Sequence, residues 1–396
     1  MVFLWKTFLH LLQYFSDRNE LPSNVRKVYD PDRYRQWKAY HHEKCRITMI
    51  SDAFMFIVMF TLYVTDAYAS FAGLFPRNDD LQAFAVLLLN TLASELCSIP
   101  FSWVNTFRIE EKYGFNKSTL KTFLSDTFKE MLLGMLLSVG LTLLYIRISR
   151  LGDAGVLIFA LCLILLILII SFLAPLFTRL FNHFTPLEEG ELREKLSLLL
   201  TSHGYSVRGI FVMDASKRTT KANAYFTGFG KSKEIVLYDT LISSLTPDEI
   251  CAVFSHELGH GLNKDTLHLQ LISSLMMLIM AVMIWFTART EQLSTAFGFA
   301  GINYGFCMLL VSEIEMELIL PFIGLIRGAY SRKAEFRADR QAVREGYGQS
   351  LISGLVKLTR DNLSDLSPSP LLVKLTYDHP TLSARVKNAE EIMNSN

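Results

Sequence analysis

The stretch TPDEICAVFSHELGHGLNKDTLHLQLISSLMMLIMAVMIW, residues 246–285, joins a capped polar helix to an apolar run long enough to cross a membrane. Thr246 is a favourable N-cap residue and Glu249 completes a capping box, so a helix is predicted to begin here. That helix carries His256 and His260 four residues apart, and this spacing places both side chains on one face. The stretch therefore predicts a polar site built directly against a membrane span.

The composition of the whole chain agrees with a membrane setting. Of the 396 residues, 51% are hydrophobic and only 19% are charged, which is too apolar for a soluble protein of this size. The net charge of +1 provides no global field that would attract nucleic acid. The five cysteines are scattered and form no CxxC pair, which argues against a cysteine metal site. We therefore expect a lipid bilayer, and no nucleic acid, as a partner.

Six apolar segments have about the 20 residues that a membrane-spanning helix needs. Residues 2–14 are also apolar but too short to cross alone, and no small-residue cleavage site follows them. This pattern favours a surface helix or a shortened first span over a signal peptide. The six predicted spans are 47–71, 81–104, 131–149, 154–177, 266–288 and 296–326.

Lysine and arginine residues are unevenly distributed among the connecting segments. Residues 17–46 hold eight and residues 105–127 hold four, whereas residues 72–80 and 289–294 hold one each. Basic residues accumulate on the cytoplasmic side of membranes. By the alternation of spans, the large polar segment 178–265 and the C-terminal tail are predicted to face the cytoplasm. The membrane would be the endoplasmic reticulum in a eukaryote and the inner membrane in a bacterium.

Residues 178–265 change from apolar runs to soluble patterns. A helical stretch is predicted at 188–202, and a strand-like stretch follows at 209–215. Two further strand-like stretches, 222–229 and 234–242, flank a short Gly- and Lys-containing turn, which predicts a β-hairpin.

The HELGH sequence at 256–260 has the ligand pattern of a zinc peptidase. His256 and His260 can hold one metal ion from successive turns of the helix. Glu257 lies beside them, where it can take a proton from a water molecule that zinc activates. Such a site also needs a third protein ligand and an open position.

A second polar stretch, SRKAEFRAD at 331–339, offers the third ligand. Glu335 and Asp339 lie four residues apart on one helical face. Glu335 would complete a His, His, Glu set, and Asp339 would orient a ligand histidine through its other ring nitrogen. A charge-rich helix alone is more often a solvated surface. The presence of HELGH makes the ligand hypothesis the better one.

These assignments divide the chain into four parts. Two parts carry the spans and two carry the catalytic residues. Residues 1–177 contain four transmembrane helices, 178–265 the catalytic segment with HELGH, 266–326 two transmembrane helices, and 327–396 the rest of the catalytic domain with the third ligand.

The chain resembles the integral-membrane CAAX prenyl proteases of type I, also called farnesylated-protein converting enzymes. The likeness covers nearly the whole chain and implies an all-α multi-pass membrane helical barrel, enclosing a large chamber, with a zincin-like α+β metalloprotease domain. The motifs that carry it are NTFRIEEKYGFN (105–116), APLF (174–177), FTPLEEGEL (184–192), SKRTTKANAYFTGFGKSKEIVLYDTL (216–241), HELGH, SRKAEFRAD and YDHPTLSARV (377–386).

The resemblance also implies roles for particular residues. The family pattern places one zinc ion per chain on three ligands, with Glu257 as the general base and Asp339 behind the ligands. The ligands are His256, His260 and Glu335.

Three further residues acquire roles only through the resemblance. It implies that Asn223 hydrogen-bonds an extended peptide substrate by strand addition. It implies that His379 and Arg385 stabilise the oxyanion and the substrate. Taken alone, the three residues would be a turn-adjacent strand residue, a helix-entry residue and a surface charge. The loop around Glu110 matches the family too, but its chemistry predicts packing against the catalytic domain rather than catalysis.

The chain departs from eukaryotic members of that family in several places. Its N-terminus is shorter, and the connection 241–246 lacks the long charged insertion that some members carry. Asp265 stands where those members tend to have another histidine. These features favour a compact relative, for example a bacterial one, in which a prenylated substrate is not assured.

The leading hypothesis is a membrane-embedded zinc metalloendopeptidase that acts on a peptide or protein substrate, with prenylated C-termini of the CAAX type as the implied class. One alternative is a quality-control peptidase for misfolded membrane proteins. An alternative from another class is a transporter or receptor that retains the fold without catalysis. Glu313, Glu315 and Glu317 inside the sixth predicted span fit either a chamber wall or a helix end beyond the bilayer.

Overall fold

The computed structural model describes residues 1–75, 78–217, 219–227 and 232–395. Helices dominate the N-terminal half. They are α1 (Val2–Tyr14), α2 (Pro31–Val64), α3 (Ala67–Ala72), α4 (Asp79–Trp103) with a π-helical continuation (Val104–Glu110), α5 (Leu120–Ser149) and α6 (Ala154–Phe181).

The C-terminal half combines a small sheet with further helices. The strands are β1 (Phe184–Pro186), β2 (Ser206–Met213), β3 (Ala224–Thr227) and β4 (Ser232–Tyr238). The helices are α7 (Glu191–Ser202), α8 (Asp239–Ser244), α9 (Pro247–Leu262), α10 (Asp265–Thr287), α11 (Glu291–Thr295), α12 (Tyr304–Leu309), α13 (Met316–Arg344), α14 (Gly348–Asp361), α15 (Pro370–Thr376) and α16 (Leu382–Ser395), with a π-helical turn (Leu310–Glu315) between α12 and α13.

Within the described residues, five helices are long and apolar enough to cross a membrane: α2, α4 with its continuation, α5, α6 and α10. They account for five of the six predicted spans. The first span ends at Val64 rather than at residue 71, because Asp66 takes a left-handed conformation with φ of 52° and a new helix begins after it.

The sixth predicted span, 296–326, differs from the prediction. Its helical part begins at Tyr304, and three glutamates make it less apolar than the other five. Glu313 accepts a hydrogen bond from Asn90, Glu315 accepts one from Thr287, and Glu317 pairs with Lys6. All three carboxylates contact side chains of other helices. This arrangement fits the chamber wall better than a helix end that extends into water beyond the bilayer.

The sheet has the strand order β1-β2-β4-β3, so β3 is an edge strand. Strands β3 and β4 pair antiparallel with Ala224 opposite Leu237, which confirms the predicted hairpin. Of the predicted turn, 230–233, residues 230 and 231 lie outside the described residues, and Ser232 and Lys233 already belong to β4. The predicted strand 234–242 ends at Tyr238, where α8 begins. A buried apolar cluster that includes Leu196 of α7 and Phe254 of α9 packs against this sheet.

The loop around Glu110 packs against the catalytic domain, as predicted. Asn116 forms a β-bridge with Thr219, and Thr220 donates a hydrogen bond from its hydroxyl to the carbonyl of Gly114 at 3.4 Å. The loop therefore supports the segment that leads into the edge strand β3.

The predicted capping box at the start of α9 is present. The Glu249 carboxylate accepts the Thr246 N–H at 2.8 Å, and the Glu249 N–H donates to the Thr246 hydroxyl. The same carboxylate is buried and also accepts from Ser353 at 2.6 Å and Lys357 at 2.7 Å. Although burial opposes the charge, Lys357 and Ser353 hold the pKa of Glu249 at about 2. The cap therefore fastens α9 to α14.

We expect Glu249→Gln to destabilise the protein at neutral pH by about 1–3 kcal/mol, because it removes one partner of a buried ion pair. The pKa of Glu249 is lower in the folded protein than in the unfolded chain. The ionised carboxylate therefore stabilises the fold above about pH 4.5, and this contribution is lost as the pH falls toward about 2. Thermal unfolding of both proteins at pH 7 and pH 3 should show a difference that shrinks in acid.

The matched control is Glu391→Gln, which removes an exposed carboxylate paired with Lys387 at 3.8 Å. Its effect should stay within about 0.5 kcal/mol, because exposed ion pairs contribute little. If Glu249→Gln matched this control at pH 7, the stabilising role of the cap would be refuted.

Helices α9 and α13 approach each other closely at Gly259. A Cβ atom added at Gly259 would lie 2.8 Å from the backbone Cα of Ala338 and 3.1 Å from Cβ of Gln341. The glycine of HELGH therefore permits a backbone contact that a larger residue would prevent. This contact sets the distance between the two histidines of α9 and the acidic residues of α13.

We expect Gly259→Ala to push α9 and α13 apart and to cost about 1–3 kcal/mol through overpacking. Any activity that depends on the predicted histidine and glutamate cluster should fall by about tenfold or more, since small displacements of reacting groups are costly. The matched control is Gly324→Ala on α13, where an added Cβ meets no atom within 4 Å. Activity and thermal stability of the two variants provide the measurement, and equal behaviour would contradict the prediction.

Candidate metal centre and active site

Helices α9 and α13 bring the three predicted metal ligands together. The Nε2 atoms of His256 and His260 lie 3.2 Å apart. Glu335 places one carboxylate oxygen 3.2 Å from Nε2 of His260 and the other 3.5 Å from Nε2 of His256. One donor atom from each residue lies within 4.8 Å of the others. Glu335 thus joins two histidines that precede it in the chain by 75 and 79 positions.

The hydrogen bonds of the two imidazoles direct their lone pairs toward one point. Nδ1 of His256 lies 2.9 Å from Asp339, and Nδ1 of His260 lies 3.0 Å from Asp265. A neutral imidazole that donates from Nδ1 keeps its lone pair on Nε2. Both lone pairs therefore face each other and the Glu335 carboxylate, an arrangement that is repulsive unless a cation lies between them.

The donor set fits a metal ion. Two nitrogens bound to one tetrahedral zinc at about 2.05 Å are about 3.3 Å apart, close to the observed 3.2 Å. One carboxylate oxygen of Glu335, Oε2, is buried and accepts no hydrogen bond of good geometry, although the Arg385 guanidinium lies 3.2 Å from it. Two imidazoles and a carboxylate are also the ligand types that zinc peptidases use.

The acidic residues around the cluster are held in their charged form. Although burial opposes ionisation, hydrogen bonds with His260 and His379 keep the pKa of Glu335 far below its ordinary value. Burial also opposes the charge of Asp339, but Arg385 and His256 lower its pKa. Burial opposes the charge on His260 as well, yet Glu335 and Asp265 raise its pKa to about 9.

Arg385 lies behind the ligands. Its guanidinium donates to both oxygens of Asp339, at 2.6 Å and 2.9 Å, and lies 3.2 Å from Glu335. This two-pronged contact is strong and directional, and it orients the carboxylate that holds His256. The predicted contact of Arg385 with substrate stays a prediction, whereas its contacts with Asp339 and Glu335 indicate a role in positioning.

His379 lies on the open side of the cluster. Its Nδ1 is 3.0 Å from Glu335, and its side chain is 59% exposed. The hydrogen bond with Glu335 raises the pKa of His379 despite partial burial. An accessible imidazole that protonates readily suits the predicted interaction with an oxyanion.

Glu257 lies on α9, and Asn223 precedes a strand that packs against α9, so their predicted roles stay predictions. Glu257 is partly buried between the two histidines on α9. Asn223 is exposed and immediately precedes the edge strand β3, which packs against α9. The Asn223 carbonyl accepts the N–H of Tyr238, which anchors the start of β3 to β4. The outer edge of β3 is where an extended peptide could add as a strand.

The sequence analysis missed three residues of the centre: Asp265, Tyr330 and Arg337. The Asp265 carboxylate accepts from His260, from the Tyr330 hydroxyl and from the Arg337 guanidinium. The available signal was a lone aspartate at the boundary of an apolar span, five residues after His260. The resemblance marked Asp265 only as a position where eukaryotic members of the family tend to have another histidine.

A His-x-x-x-His helix, a glutamate from a second helix and a bundle of spanning helices define a metallopeptidase embedded in a membrane. Residues 186–393 match the model of peptidase family M48, and residues 11–183 match a CAAX prenyl protease N-terminal domain of five membrane helices. The chain belongs to peptidase family M48. The predicted family, fold class and enzyme class are thereby confirmed, and the protein is a multi-pass integral membrane metallopeptidase.

Individual relatives resemble the chain over almost its full length. A CAAX prenyl protease 1 homolog of Oryza sativa subsp. japonica is 32% identical over 99% of this chain and 95% of that protein. A probable CAAX prenyl protease 1 of Schizosaccharomyces pombe is 32% identical over 97% and 85%. The crystal structure of S. mikatae Ste24p superposes with a TM-score of 0.89 at 27% identity, covering 98% of this chain and 96% of that one.

Proposed function

We propose that the protein is a zinc endopeptidase that cleaves prenylated protein C-termini of the CAAX type. One zinc ion per chain would be held by His256, His260 and Glu335. The observation that carries the proposal is the convergence of both Nε2 atoms and a buried, ionised carboxylate on one point. The relatives named CAAX prenyl protease 1 support the substrate class.

Zinc, when bound, polarises the scissile carbonyl and makes water nucleophilic at neutral pH. The residues of the chain supply the rest of the chemistry. Glu257 takes the proton of the attacking water and returns it to the leaving amine. His379 donates to the oxygen on which negative charge develops. Asn223 and the edge of β3 hold the substrate backbone extended beside α9.

The position of the site relative to the membrane supports a lipid-anchored substrate. Helix α9, which carries two ligands, ends at Leu262, and the membrane-spanning α10 begins at Asp265. The cluster is therefore only a few residues from the membrane surface. A prenyl group buried in the bilayer would hold the adjoining peptide close to the membrane surface, where the cluster lies.

We infer that the catalytic side faces the cytoplasm, because the alternation of spans predicts that residues 178–265 share a side with the segments rich in lysine and arginine. In a eukaryote the membrane would be the endoplasmic reticulum, and in a bacterium the inner membrane. A protease-accessibility assay on sealed vesicles with a C-terminal tag would test the orientation. Cleavage of the tag from the luminal or periplasmic side would contradict it.

The function is tested with purified full-length protein, a farnesylated peptide ending in a CAAX-type sequence, and the same peptide without the lipid. We expect about one zinc per chain, inhibition by a chelator with recovery on adding zinc, and much faster cleavage of the farnesylated peptide. Equal turnover of the two peptides would contradict a prenyl-directed role and would favour a quality-control peptidase. Protein that cleaves neither peptide with zinc bound would refute the proposal.

A further inference from the structure

Asp265 connects the metal centre to the membrane. Helix α9 ends at Leu262, and Lys264 then takes a left-handed conformation with φ of 55° before α10 begins at Asp265. This turn directs the first side chain of the membrane-spanning helix back toward the last turn of α9. Asp265 is 2% exposed, although aspartate is rarely buried without partners.

The Asp265 carboxylate is fully engaged by three donors from two helices. One oxygen lies 3.0 Å from Nδ1 of His260 on α9. The other accepts from the hydroxyl of Tyr330 and from the guanidinium of Arg337, both on α13 and both at 2.7 Å. Arg337 also lies over the Tyr330 ring, 5.4 Å from its centroid. The contacts with Tyr330 and Arg337 hold the carboxylate in one orientation, with its other oxygen aimed at the His260 ring.

The same arrangement occurs at the other histidine. His256 is held by Asp339, which Arg385 holds in turn. Each ligand histidine therefore has a buried aspartate that is itself held by an arginine. The two pairs differ in one respect, since Asp339 belongs to α13 whereas Asp265 is the first residue of a membrane span.

We propose that Asp265 is a positioning residue for the metal centre and that it ties the ring of His260 to the membrane-spanning helix α10. The inference rests on the proposed function in assuming that the centre binds zinc. By accepting a hydrogen bond from Nδ1–H, the carboxylate selects the tautomer with a free Nε2, fixes the ring plane and increases the electron density on Nε2. Tyr330 and Arg337 act through Asp265 by fixing its orientation.

Zinc affinity tests this role directly, because a residue that only stabilises the fold would not change it. We expect Asp265→Ala to weaken zinc binding by about 10- to 100-fold, as is typical for partners of metal ligands. The zinc affinity of Asp265→Asn should lie between those of this variant and the wild type. The amide oxygen can still accept the hydrogen bond from Nδ1–H, but it carries no charge. The affinities are measured on the full-length protein by competition with a chromophoric zinc chelator.

Two further measurements separate positioning from folding. Thermal unfolding of the metal-stripped proteins shows whether a variant still folds, and Asp265→Asn decides the question if Asp265→Ala does not. With Co²⁺ in place of zinc, the visible absorption spectrum should change in both variants, because it reports the ligand field. The matched control is Asp153→Asn, since Asp153 is exposed, precedes the membrane-spanning α6 and pairs with Arg289 at 2.7 Å.

The outcomes distinguish this inference from the proposed function. Weakened zinc binding and an altered Co²⁺ spectrum in the Asp265 variants, with an unchanged control, would support it. If the wild type holds one zinc and both variants bind it equally tightly with the wild-type spectrum, the inference is overturned and the proposed function stands. If the wild type binds no zinc, both are overturned.

Discussion

Glu257→Gln is expected to lower the rate of peptide hydrolysis by about a hundredfold or more while the protein keeps its metal. Glu257 lies on α9 between the two ligand histidines but is not itself one of the clustered ligands. Glutamine has nearly the same shape as glutamate, so the packing of α9 should be preserved. It cannot take a proton from water at neutral pH, and the general base is therefore lost.

The measurement is single-turnover cleavage of the farnesylated peptide, with the zinc content determined on the same samples. A suitable control is Glu194→Gln, which changes an acidic residue in the first turn of α7 outside the ligand cluster. This control should retain wild-type activity and zinc. A Glu257→Gln protein that binds zinc and cleaves at the wild-type rate would rule out Glu257 as the base.

Glu335→Gln should abolish both metal binding and activity. Glu335 is almost fully buried and contacts both ligand histidines. It also contacts His379 and Arg385. A neutral amide is a far weaker metal ligand than a carboxylate, and it would leave the Arg385 charge only partly compensated in a buried site. We expect zinc affinity to fall by several orders of magnitude, together with some loss of stability.

Zinc content, zinc affinity and thermal unfolding are the measurements for this variant. Glu345→Gln provides the control, because Glu345 follows the last turn of α13 and contacts His203 instead of the metal ligands. The control should bind zinc like the wild type. Retention of zinc with wild-type affinity by Glu335→Gln would show that another residue completes the ligand set.

Together the two variants separate the functions of the two glutamates. Loss of activity with zinc retained identifies a proton acceptor, whereas loss of both identifies a ligand. The structure makes this distinction testable because Glu257 and Glu335 lie on different helices, α9 and α13.

Some features were predictable because they depend on residues near each other in the chain. The capping box of Thr246 and Glu249 and the shared face of His256 and His260 follow from helical geometry alone. The hairpin of β3 and β4 and five of the membrane spans are likewise local patterns of hydropathy. The sixth span was less predictable, because its glutamates are accommodated by partners on other helices.

The sequence by itself determined the helix with two histidines, its junction with a membrane span and, through family resemblance, the glutamate expected to join them. Only the tertiary structure decided which residues contact and orient the predicted metal ligands. Arg385, whose predicted contact with substrate stays a prediction, contacts Asp339 and Glu335, and the Asp265 carboxylate contacts His260. Spacing along a helix specifies which side chains share a face. Which buried charges meet across α9, α10, α13 and α16 depends on how the helices pack, and a local pattern does not contain that information.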